Sequence, residues 1–178
     1  MLLLAASLGW ALEPRPGRLL VAARELRDPN FAETVVLLVA ANQEGALGLI
    51  LNRPSDVPVR KVIPQAPAGV YLFAGGPVEI YRIFALERGP GIDQVIRGLS
   101  FLSNQRAIEK SLLAAADRIR VFAGYSGWGP GQLEREIAQG AWKVLPASLE
   151  LAFPSEPETL WHQLIRRTEV LTAHAHPQ

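Results

Sequence analysis

Residues Gly124 to Glu136 read GYSGWGPGQLERE, placing four glycines, a proline and a tryptophan between an apolar run and a helical pattern. Just before them, Ile119-Arg120-Val121-Phe122-Ala123 is β-branched, aromatic and alternating, which predicts a strand. Just after them, Leu133 and Ile137 stand four residues apart and share one helix face. Pro130 suits a first helical turn, because its missing N–H would be unpaired there anyway. Glu134 and Glu136 lie near the helix N-terminus, where the helix dipole favours negative charge. Gly140 fits the position after a helix end. Trp142 to Leu145 then reads as another strand, closed by Pro146. The local expectation is strand, glycine-rich turn, helix, strand.

Such turns often bind anions, since backbone N–H groups point outward at a helix start. The specific templates are not met. A phosphate-binding loop needs Lys then Ser or Thr after its glycine, and Gly131 is followed by Gln132. The spacing Gly127-Trp128-Gly129-Pro130-Gly131 does not fit GxGxxG. Trp128 stands where a nucleophile elbow wants glycine. Pro130 also removes one donor. Two readings remain. In the first, the glycines permit close backbone approach while Trp128 packs over the strand. In the second, Tyr125, Ser126, Gln132 and Glu134 converge on a ligand, joined by Asp28, Asn52 and Arg53 from the first hairpin. Asp28 and Arg53 then fix an anionic or amino group at a pocket mouth, or else form an Asx-turn and an ion pair that hold two loops together.

Elsewhere the pattern is mostly strand. Leu19–Arg24, Thr34–Ala41, Ala46–Leu51, Val70–Ala74, Ile80–Glu87 and Asp93–Leu99 read as strands. The segment Thr34–Ala41 is almost wholly apolar, which predicts burial on both faces. Val59–Ile63 reads as a short helix or turn between prolines. Ser103 or Asn104 caps a helix expected to run to about residue 118, with Ile108 and Leu112 on its buried face. Ser155-Glu156-Pro157-Glu158 fits a capping box for a last helix running to about residue 171.

The length of 178 residues suits one domain with a sizeable core. Eighteen basic and 17 acidic side chains leave a formal charge of +1, which does not support nucleic-acid binding. The chain has no cysteine, so disulfides and thiolate chemistry are excluded. Three histidines, two of them at His174 and His176, do not amount to a metal site, and no cofactor is implied. Met1–Leu12 is apolar. It is read as an N-terminal extension, with a secretory signal cleaved at Gly9-Trp10-Ala11 as the alternative. No segment reaches the roughly 20 apolar residues that span a bilayer.

Four blocks together resemble the YqgE/AlgH family: LLVAARELRDPNFAETVVLLV at Leu19–Val39, GALGLILNRP at Gly45–Pro54, Gly75-Gly76-Pro77-Val78, and Gly124–Trp142. The resemblance implies an α+β fold, a single domain whose curved, mostly antiparallel mixed sheet closes into a pseudo-barrel flanked by about three helices. The resemblance runs over residues from about 17 to 165, and the expected organisation is a domain at 17–172, preceded by an apolar extension or signal segment at 1–16 and followed by a flexible tail at 173–178. The family carries no agreed catalytic residues, and one branch bears the label of transcriptional regulator. The expectation is a cytoplasmic, non-catalytic binding or regulatory protein that takes a small molecule or a protein partner. Export is the alternative if Met1–Ala11 is cleaved. A second functional alternative is a ligand site or enzyme at Gly124–Glu136.

Overall fold

The computed structural model describes residues 13–91 and 93–175. The expectations for Met1–Leu12 and for residues 176–178 lie outside those residues, while the first part of the expected tail, Ala173–Ala175, continues the last helix instead. The chain begins with β1 (Arg18–Ala22), β2 (Val35–Asn42), β3 (Gly45–Ile50), β4 (Pro54–Pro58), β5 (Tyr71–Ala74) and β6 (Val78–Arg88). It continues through β7 (Gln94–Ile96), β8 (Leu99–Leu102), α1 (Gln105–Ala114), β9 (Ile119–Trp128), α2 (Gln132–Ala138), β10 (Trp142–Pro146), α3 (Leu149–Ala152) and α4 (Leu160–Ala175). Among the described residues, no helix is long and apolar enough to cross a membrane.

The strand order β10-β1-β2-β3-β9-β6-β8-β7 is antiparallel throughout, and β5 joins β9 as a parallel neighbour with β4 paired outside it. This is the expected α+β fold with a curled, mostly antiparallel sheet. The curl brings opposite ends together, so that the backbone of Gly17, just before β1, packs against Val95 and Ile96 of β7. Strand β9 is the spine. Its first half pairs with β5 and β6, and its second half pairs with β3. Successive side chains on a strand point to opposite faces. Accordingly Phe122 joins the large core built from β1, β2, β3 and α4, while Val121 joins a smaller core with Ile83, Ile108 and Leu112.

Strand β9 runs five residues beyond the expected end at Ala123. The glycines to Gly127 are in the strand, and the turn is only Gly129–Gly131. Gly124 adopts φ 70, which a β-carbon disfavours. The pairing with β6 shifts register between Val78 and Ile83 to absorb that irregularity. A β-carbon on Gly76 would collide with the backbone of Tyr125 and Ser126, so the double glycine marks a backbone-on-backbone crossing.

Other boundaries also move. Pro54–Pro58 is a strand, and its prolines are tolerated because β4 lies at a sheet edge. The single strand expected at Asp93–Leu99 is instead the hairpin β7–β8. Asn104 does cap α1, accepting from the Ala107 N–H at 3.1 Å, but the helix ends at Ala114 and continues as a 3₁₀ turn at Ala116–Arg118. The capping box at Ser155 does not form. Pro157–Thr159 is a 3₁₀ turn without a side-chain cap, and α4 follows it directly. In β2, burial on both faces holds from Val35 to Val39 and gives way to exposure at Ala40.

Candidate functional site

At the end of β9 the chain turns through Gly129–Gly131 into α2, and Gly131 sits at the helix N-cap with φ 68. The centre of this corner is Glu136. Its Oε2 accepts from Trp128 Nε1–H at 3.0 Å and from Trp142 Nε1–H at 2.8 Å. Its Oε1 accepts from Gln132 Nε2–H at 2.9 Å, while Gln132 Oε1 accepts from the Gly129 N–H at 3.1 Å. The Phe31 ring stacks on Trp128 at 5.9 Å and meets Trp142 edge-on at 5.6 Å, and the two indoles meet edge-on at 5.9 Å. Aromatic contacts of this kind add to the burial of the rings themselves. The carboxylate therefore ties the end of β9, the helix and the start of β10 to one point.

Sequence reasoning missed this role for Glu136 and placed Glu134 in the site instead. The four-residue spacing of Gln132 and Glu136, with tryptophans on both sides, is the signal that could have found it. Glu134 is exposed on α2. Ser126 is fully buried, and its hydroxyl donates to the Gly75 carbonyl at 3.1 Å, holding the crossing behind the double glycine. Tyr125 is partly buried with its ring edge-on to Phe84 at 5.6 Å.

Asp28, Asn52 and Arg53 all engage the segment between β1 and β2, but the expected ion pair between Asp28 and Arg53 is not among those of the described residues. Asp28 Oδ1 accepts from the Asn30 N–H at 2.8 Å, which is an Asx-turn. Asn52 Oδ1 accepts from the Val35 N–H and its Nδ2–H donates to the Glu33 carbonyl. The Arg53 guanidinium donates to the carbonyls of Asn30, Pro29 and Ala32. Burial lowers the Arg53 pKa below its usual value, and the charge of Asp28 opposes that shift. These three side chains staple the loop between β1 and β2, the guanidinium meeting it through carbonyls.

The seven residues therefore divide. Tyr125 lines a groove of about 460 Å³ together with Asn42, Leu47, Val78 and Trp128. Asn52 and Arg53 line a separate cavity of about 300 Å³ with Glu33, Trp161 and His162. Ser126 is interior to the sheet. Among the described residues, no group of three or more His, Asp or Glu side chains is arranged to hold a metal.

Comparison with known proteins gives a consistent result. A family model described as AlgH-like matches residues 19–173. A UPF0301 protein of Streptomyces avermitilis is 39% identical over 165 residues, covering 85% of each chain. A UPF0301 protein of Chlorobaculum tepidum is 37% identical over 160 residues, covering 85% of this chain and 86% of its own. The solution structure of the AlgH protein from Pseudomonas aeruginosa has a TM-score of 0.70 at 31% identity, over 94% of this chain and 100% of that one. The crystal structure of a Corynebacterium diphtheriae protein has a TM-score of 0.72 at 28% identity, over 88% of each chain.

Proposed function

The chain belongs to the AlgH-like family, and from that premise we propose that it is a non-catalytic binding or regulatory protein. The observation that carries this reading is the engagement of three polar side chains beside the Gly129–Gly131 turn, with Glu134 left exposed on the outer face of α2. Ser126, Gln132 and Glu136 are committed to hydrogen bonds that hold the fold together. A catalytic constellation needs a nucleophile or base with its reacting atom free toward substrate. What faces outward instead is the groove beside Tyr125 and Trp128, whose apolar walls, Leu47 and Val78 among them, suit an aromatic or aliphatic group. Tyr125 is then the contact residue, while Asp28, Asn52 and Arg53 shape the neighbouring loop.

A formal charge of +1 favours control through a small molecule or a protein over direct contact with DNA. The folding unit in this reading is 17–172, acting in the cytoplasm. Native mass spectrometry of protein purified gently from its own host tests both points. A full-length mass carrying an unaltered ligand or a stoichiometric partner is the expected result. A mass lacking about the first dozen residues indicates export. Chemical conversion of a retained compound, lost in Ser126→Ala, would overturn the non-catalytic reading.

A further inference from the structure

A different cavity, of about 560 Å³, lies near the start of β9 and is lined by Asp56, Tyr71, Phe73, Asp117, Arg120 and Ser155 among others. Arg120 is its unusual member. The guanidinium is 5.0 Å from the Phe73 ring centre and 4.9 Å from that of Phe153. Nη2–H donates to the Pro154 carbonyl at 2.5 Å, while Nη1 is shielded from solvent without a hydrogen-bond partner. Arg88 lies over the same Phe153 ring at 4.6 Å and donates from Nη2 to the Phe153 carbonyl at 3.2 Å, and its Nε is likewise unpartnered. The ion pairs among the described residues are Arg24–Glu169 and Arg82–Glu79, so neither of these arginines has one. Burial first, and the Arg88 charge second, lower the Arg120 pKa to about 10.

Two guanidinium groups against one ring, each with an unpaired N–H, carry the cost of buried charge without its usual compensation. The complementary group is a carboxylate, whose planar oxygens match the guanidinium fork. The cavity is not simply cationic, however. Asp56 and Asp117 line it without ion pairs, and Glu158 adds its negative charge at Arg120. Those carboxylates disfavour a polyanion and offer a place for an ammonium group. Tyr71, half exposed, and Phe73 supply an aromatic wall.

We propose that this cavity binds a small zwitterion, an amino acid or short peptide. Its carboxylate sits on Arg120, its ammonium group between Asp56 and Asp117, and its apolar side chain against Tyr71 and Phe73. The carboxylate takes the place of the Pro154 carbonyl on the guanidinium. Pro154–Glu156 belongs to neither helix nor strand, so that exchange leaves the sheet intact. The proposal stands apart from the groove at Tyr125 and Trp128, and each can fail without the other.

The test is an NMR titration of the full chain with three matched probes: L-phenylalanine, phenylacetate and phenethylamine. Phenylalanine is expected to shift the amides of Tyr71 and Arg120 and to bind about tenfold more tightly than either singly charged probe. Asp56→Asn combined with Asp117→Asn is expected to weaken phenylalanine about tenfold without weakening phenylacetate, which loses two repulsive neighbours. Both aspartates are exposed, so this variant keeps the fold. Arg120→Lys is expected to weaken both carboxylate probes. Equal binding of phenylacetate and phenylalanine overturns the proposal. So does the absence of shifts at Tyr71 and Arg120 with millimolar phenylalanine, or indifference of phenylalanine binding to the two asparagine substitutions.

Discussion

Glu136 makes a single side chain responsible for three segments. Trp128 and Trp142 are 5% and 3% exposed, so their indole N–H groups have no easy access to water if the carboxylate is removed. Glu136→Ala strands both donors, and the free energy of unfolding is expected to fall by about 3 kcal/mol, the cost of two unsatisfied buried N–H groups. Glu136→Gln keeps the shape but offers one acceptor oxygen in place of two, which predicts a smaller loss of about 1–2 kcal/mol. Urea denaturation followed by tryptophan fluorescence reads both values, and the reporter rings are the ones affected. Glu134→Gln, two residues away, is the control. Glu134 is exposed and has no hydrogen bond or ion pair among the described residues, so its substitution should fall within about 0.5 kcal/mol of the parent. If the three variants are equally stable, the carboxylate does not organise the corner.

At the level of elements, α4 shows which contacts fix a helix to this sheet. Leu160, Trp161, Leu164 and Ile165 form its buried stripe, and Trp161 Nε1–H donates to the Ala22 carbonyl at 2.8 Å. Trp161→Phe keeps an aromatic ring there but loses that bond, and a loss of about 1–2 kcal/mol is expected in the same denaturation assay. About two turns beyond Trp161, Arg24 Nε–H donates to Glu169 Oε1 at 2.6 Å. That hydrogen bond, aided by the charge of Arg24, holds the Glu169 pKa below its usual value. A carboxyl with a depressed folded pKa binds its proton more weakly in the folded state than in the unfolded one. Its contribution is therefore complete above the ordinary carboxylate pKa and is lost as pH falls through the lowered folded value. Melting temperatures of the parent and of Glu169→Gln should differ at neutral pH and converge in acid. Because both side chains are exposed, the neutral-pH difference is small. The stripe of α4 was legible because apolar spacing records burial directly. Its start was not, because Pro157 and Thr159 made a 3₁₀ turn where Ser155 and Glu158 suggested a capping box. The end of β9 was hidden for a related reason: Gly124 and Gly127 have no side chain with which to show alternation.

For the molecule as a whole, what joins distant segments is shape that no local pattern reports. The strand runs at Leu19, Val35 and Ala46 could be read, but the parallel contact of β5 with β9 and the split of the sheet around β9 depend on pairings far apart in sequence. The candidate site shows the same limit. Asp28 makes the Asx-turn that its position after Arg27 suggested, but the spacing of Asn52 and Arg53 did not show that they would bind the backbone of the distant loop between β1 and β2 rather than a ligand. The curl itself can be tested through two glycines with the same backbone conformation. Gly17 and Gly69 both have φ near +80, where a β-carbon is strained. Around Gly69 an added methyl meets nothing within 4 Å, so Gly69→Ala should cost about 1 kcal/mol for the backbone alone. At Gly17 the same methyl comes within 2.8 Å of Ile96 Cγ2 and 3.0 Å of the Val95 carbonyl oxygen, both on β7. Gly17→Ala must strain the backbone and also push the two ends of the sheet apart, for a total of about 2–4 kcal/mol. Hydrogen exchange locates the effect. Faster exchange confined to β1, β7 and β8 in Gly17→Ala, with β4 and β5 unchanged, means that the curl is held at this contact. Equal costs for the two substitutions mean that the ends of the sheet touch without supporting each other.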